Sequence, residues 1–178
     1  MTFSRVRALI ILGVLFIGAV VTVTLAISRD TQTDASTTER CPAGAVPAYL
    51  RLPERSQVKL NVYNGAPKQV GLASKIGNEL RNRGFDVKKM TDAPGKKTYT
   101  DIAIIRYGPK TVGAAQEMNA YFLGEATMQF DIKRKDDVVD IFLGTQFLQL
   151  ATTTEVNQSI AALGDPALPP GTCEADAE

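Results

Sequence analysis

The side chains that most often carry catalysis are scarce in this sequence. There is no histidine in 178 residues, which removes the commonest general base and the commonest neutral metal ligand. The two cysteines, Cys41 and Cys173, are too few for a cysteine-rich zinc cluster and lack the Cys-x-x-Cys spacing of a reactive pair. No Gly-x-Ser-x-Gly, Walker or Gly-x-Gly-x-x-Gly run is present, so neither a nucleophile elbow nor a nucleotide cradle is supported. Asp136, Asp137 and Asp140 form a close group of acids. They read either as paired catalytic carboxylates or as a solvated hairpin turn, where Asp is favoured for local reasons. The balance favours a protein that binds over one that catalyses, with no cofactor and no metal.

Two stretches have the residue types of a binding site. In Asn64-Gly-Ala-Pro-Lys-Gln-Val-Gly71, exposed amides at a helix N-terminus meet an anion, with Lys68 adding charge. The structural alternative gives Gly65 a tight turn and Gly71 a close approach of helix to sheet. The second stretch holds Arg81, Arg83, Lys88, Lys89, Lys96 and Lys97, which with Asp86 and Asp92 net +4. It is either a solvated face or a surface for anionic lipid or wall polymer.

The elements that must position these residues follow from periodicity. Val58, Leu60 and Val62 alternate with Lys59, Asn61 and Tyr63, as on a strand with one buried face. After Asn64-Gly65 the period becomes helical through Leu72, Ala73, Ile76 and Leu80 until Gly84. A strand from Phe85 to Met90 follows, then a loop, and then Asp101 to Tyr107, apolar on both faces as in a central strand. A second helix spans Thr111 to Leu123, and strands at 127–133 and 138–143 are joined by a hairpin at Lys135-Asp136-Asp137. The order predicts an α/β (α+β) two-layer sandwich, ferredoxin-like βαββαβ with an added hairpin strand and helices on one face.

Residues 8–27 are 20 consecutive uncharged positions, enough at about 1.5 Å per residue to cross a hydrocarbon core of roughly 30 Å. Arg5 and Arg7 precede the stretch and acidic residues follow it, so the positive-inside bias places the N-terminus in the cytoplasm and the rest outside. A cleaved signal peptide is the alternative, with Thr24 and Ala26 at the cleavage site, but its apolar core is usually only about 7–15 residues. Removing Arg5 and Arg7 leaves 18 basic against 19 acidic residues, no field that calls for nucleic acid. The expected organisation is a cytoplasmic segment 1–7, a transmembrane helix 8–27, an extracytoplasmic stalk 28–56, a domain 57–150, and a C-terminal helix and acidic tail 151–178. In an oxidising compartment the even pair Cys41 and Cys173 is expected to form a disulfide, a free thiol pair being the alternative.

Three stretches together resemble the LytR C-terminal domain family of Gram-positive envelopes. They are Asn64-Gly65 with Gly71-Leu72-Ala73 and Gly84-Phe85-Asp86-Val87, then Ile104-Ile105-Arg106-Tyr107-Gly108 with Ala114-Ala115, then Ile141-Phe142-Leu143-Gly144. Where members often carry Asp after the last glycine, this chain has Gln146. In larger relatives the domain accompanies a LytR-CpsA-Psr catalytic domain, for which this sequence has no room. A lone anchored copy with two flanking cysteines is similar to actinobacterial envelope integrity proteins. The resemblance implies support of the cell envelope. As a scaffold the domain would hold envelope-assembly or cell-wall assembly proteins. The alternative is a glycan-binding module for peptidoglycan or an attached anionic polysaccharide, using the uncovered sheet face and Tyr63.

Overall fold

The computed structural model describes residues 41–42 and 44–175, together with Gly13. The chain divides into two compact units, Met1–Arg40 and Cys41–Glu178. The expected cytoplasmic segment, the transmembrane helix apart from Gly13, and stalk residues 28–40 lie outside the described residues. Among the described residues, no helix is long and apolar enough to cross a membrane.

The second unit runs β1 (Val46–Ala48), β2 (Lys59–Asn64), α1 (Leu72–Asn82), β3 (Asp86–Asp92), β4 (Ala103–Tyr107), α2 (Val112–Tyr121), β5 (Thr127–Phe130), β6 (Val138–Leu143), α3 (Thr153–Leu163) and β7 (Thr172–Glu174). The alternation in β2 works as its sequence suggests. Leu60 and Val62 join Ile76 and Leu80 of α1, Ala115 and Met118 of α2, and Ile105, Val139, Ile141 and Leu143 of neighbouring strands in one core. Helix α1 ends where Gly84 takes a left-handed φ of 98°. There the Phe85 amide donates to the Leu80 carbonyl, closing the last turn.

The strand order corrects the ferredoxin-like expectation. Five strands form a mixed sheet in the order β3-β2-β6-β4-β5. β2 is parallel to both β3 and β6, β4 is parallel to β5, and β4 is antiparallel to β6. Each helix therefore returns the chain beside the strand it left, giving two unsplit βαβ units with β6 wedged between them. The expected hairpin between the strands at 127–133 and 138–143 does not form, because β5 takes an edge and β6 the centre. The reason is burial. Val139, Ile141, Phe142 and Leu143 are all buried, so β6 needs cover on both faces, whereas no residue of β5 is fully buried.

Within the expected stalk, the segment from β1 to residue 56 packs against the domain. Parallel pairing of β1 with β7 and the Cys41–Cys173 disulfide, with Cα atoms 5.5 Å apart, join it to the tail. From β1 the chain runs as a strap to a 3-10 turn at Arg55–Gln57. The strap lies on the start of α2, where Gly113 donates to the Tyr49 carbonyl at 3.0 Å and Tyr49 donates to Pro109 at 2.9 Å.

Candidate functional site

At the junction of β2 and α1, Asn64 is a structural residue. Its Oδ1 accepts from the Ala66 amide at 2.9 Å and its Nδ2 donates to the Gln69 carbonyl at 2.9 Å, which folds the turn back on itself. The two glycines exchange the roles expected of them. A Cβ on Gly65 would overlap the Tyr99 ring and stand 2.9 Å from the Leu143 carbonyl, so Gly65 is the close-approach position. Gly71 has open space around it and a φ of 76°, so it supplies the left-handed residue that starts α1. Lys68 is exposed. A depression of about 210 Å³ brings this turn next to the lysine segment, lined by Asn64, Pro67, Val70, Asp92, Lys96 and Lys97.

The four segment lysines are all exposed. Lys88 pairs with Asp86 at 2.6 Å and is the residue skipped where the β2–β3 register shifts. Lys89 stands on β3 at the sheet edge, where a charged side chain discourages pairing with another chain. The Lys97 ammonium lies 5.4 Å from the Tyr99 ring centroid, and Lys96 is held at a φ of 53°. Arg81 is committed to the Val87 carbonyl.

The sheet face away from the helices is the most organised polar surface. Tyr63 stacks on Phe142 with centroids 4.7 Å apart, Tyr99 closes on the same ring at 5.3 Å, and the Arg106 guanidinium lies 4.5 Å from it. Arg106 donates to Gln129 at 2.8 Å. Asp140 accepts from Asn61 at 2.7 Å and pairs with Arg134 at 2.9 Å. Asn61 Oδ1 is enclosed without a partner. Burial raises the Tyr63 phenol above its ordinary range, with the Asp140 charge acting in the same direction. Of the aspartates expected at a hairpin, Asp136 and Asp140 share Arg134 and Asp137 turns to Lys59. Asp136 binds Arg134 at 2.7 Å, and Asp137 pairs with Lys59 at 2.6 Å, a hydrogen bond that holds its carboxyl below the ordinary range.

Of these face residues, the sequence singles out Tyr63 as a sugar-facing ring and Asp140 as a member of an acidic group. Asn61, Arg106, Arg134 and Asp140 gain their neighbours from strand order, and the period-two pattern that places Asp140 and Phe142 opposite Ile141 was the available signal.

Residues 57–147 match the family described as LytR cell envelope-related transcriptional attenuator. A search of the curated proteins finds no match. Among solved structures, the chain is similar to the soluble domain of a conserved hypothetical secreted protein, an Rv2700 ortholog, from Mycobacterium marinum. The two share 25% identity over 74% of this chain and 82% of that one, with a TM-score of 0.49. The family match spans more than half of the 178 residues and takes in the whole five-stranded sheet with α1 and α2, and the chain belongs to the LytR cell envelope-related transcriptional attenuator family.

Proposed function

We propose that this protein supports the cell envelope without catalysis, held to the membrane by residues 8–27 with its domain outside, as a scaffold for envelope-assembly proteins. The observation that carries the reading is the state of the open sheet face. Asp140, Arg134, Arg106 and Gln129 are each held by a neighbour, so the face presents a fixed, shaped surface and no poised acid–base pair. Family membership supports a role at the envelope, and a disulfide across the folded unit suits an oxidising compartment. Topology is tested in spheroplasts that are reduced and then treated with a membrane-impermeant maleimide. Cys41 and Cys173 should label without lysis, and labelling that needs lysis would put the domain on the wrong side.

A second reading, a module that holds wall polymer, is favoured by the aromatic group of Tyr63, Phe142 and Tyr99 beside amide and guanidinium groups on that face. Co-sedimentation of the full chain, in detergent, with purified cell-wall sacculi tests it. Binding that persists at high salt supports a specific site, and a chain left in the supernatant at low salt removes the reading.

A further inference from the structure

A groove of about 1000 Å³ opens between the strap and α2, away from the open sheet face. Its lining combines three cations, Arg51, Arg55 and Lys110, with Glu54 and Glu117 and the exposed Tyr49 and Leu52. Two features make it a built site. The first is its wall. The strap passes so close to α2 that a Cβ on Gly113 would overlap the Arg51 carbonyl, and the β1–β7 ribbon and the disulfide hold the strap from behind. The second is Glu117, whose side chain is only 5% exposed. Arg55 donates to its Oε1 at 3.3 Å, while its Oε2 is enclosed without any partner.

A buried carboxylate oxygen without a donor costs free energy that a ligand can recover. Arg55 holds Glu117 Oε1 through its Nε, and 41% of its side chain is exposed. A ligand anion takes the remaining guanidinium donors of Arg55, while a hydroxyl on the same ligand donates to the unpartnered Oε2. Arg51 and Lys110 add charge for the anion, and Tyr49 offers an exposed aromatic ring to a pyranose face. A carboxylate beside several hydroxyls is the chemistry of an acidic sugar.

We propose that this groove binds a carboxylate-bearing sugar unit of an envelope polymer, the carboxylate on Arg55 with Arg51 and Lys110, and a neighbouring hydroxyl on Glu117. The inference rests on the polymer-holding reading and moves its contact from the sheet face to the strap. The test is calorimetric titration of the full chain in detergent micelles with a tetrasaccharide of alternating glucuronate and N-acetylglucosamine, and with the same oligosaccharide after its carboxylates are reduced to alcohols. The acidic form should bind about tenfold more tightly, as a charge-assisted fork to Arg requires. Arg55→Gln should remove most of that difference, and the exposed pair Arg51→Gln with Lys110→Gln should reduce it several-fold while the protein stays folded by thermal unfolding. Equal affinity for the two oligosaccharides, no binding of either, or binding indifferent to these substitutions would overturn the site. Retention of all variants on sacculi, with no acidic preference, would remove the groove and leave the polymer-holding reading in place.

Discussion

Gly65 and Gly71 look alike in the sequence, and each is required for a different reason. Gly65→Ala drives a methyl into Tyr99 and the Leu143 carbonyl and should cost about 1–3 kcal/mol, as overpacking does. Gly71→Ala meets only the left-handed backbone and should cost about 1 kcal/mol. Chemical denaturation of both variants checks the order, and a larger loss for Gly71→Ala than for Gly65→Ala would reverse the assignment. Turn composition made these glycines legible as special. The reason for each was not legible, because Tyr99 and Leu143 reach Gly65 from distant parts of the chain. Glu117 was hidden in the same way, in an ordinary helical stretch whose burial depends on a strap 62 residues earlier. Burial raises its carboxyl above the ordinary range, against the pull of Arg55. The folded state therefore holds its proton to higher pH than the unfolded state, and this group's contribution to stability falls as pH rises from the ordinary carboxylate range through the raised value. The stability of Glu117→Gln relative to the parent should therefore rise as pH climbs from the ordinary carboxylate range and fall back on acidification. A gap that widens on acidification would contradict this.

At the scale of elements, local signals placed most strands and helices, and long-range pairing decided what they could not. Helix α3 lies at residues 153–163, within the expected C-terminal helix and tail, and its start is secured by Thr152, whose hydroxyl accepts from the Glu155 amide while Glu155 reaches back to the Thr152 amide. Thr152→Ala should cost about 1 kcal/mol in a denaturant series, and an unchanged midpoint would show that α3 is held by packing alone. Strands β5 and β6 show the limit of local reading. Adjacent in sequence with a turn-rich link, they invite a hairpin, yet Val139, Ile141, Phe142 and Leu143 of β6 are all buried, as in a central strand, and β2 and β4 are its partners. Parallel pairs leave no signature in the connecting turn, so the order β3-β2-β6-β4-β5 was not legible from spacing.

For the whole molecule, the ends of the folded unit are joined. The Cys41–Cys173 bridge closes a separation of 132 residues and secures the β1–β7 ribbon at the root of the strap. In the chain-entropy account such a loop is worth about 4–5 kcal/mol. The Cys41→Ser, Cys173→Ser double variant should lose several kcal/mol in thermal unfolding, and the parent should lose the same on reduction. Melting that is indifferent to reductant would refute it. The pairing was legible because the chain has two cysteines, whereas the ribbon was not, since three-residue strands carry no periodicity. The proposed scaffold role puts its partners on the open sheet face. The most direct test places a photo-crosslinking residue at exposed Thr91, which β3 sets beside Tyr63 on that face, in the full chain expressed in its own cells. The scaffold account predicts a few discrete protein adducts of envelope-assembly proteins, lost when the face is altered by Asn61→Ala with Asp140→Ala. Adducts that run only as a smear and collapse on wall hydrolase treatment would contradict it and show that the face holds polymer.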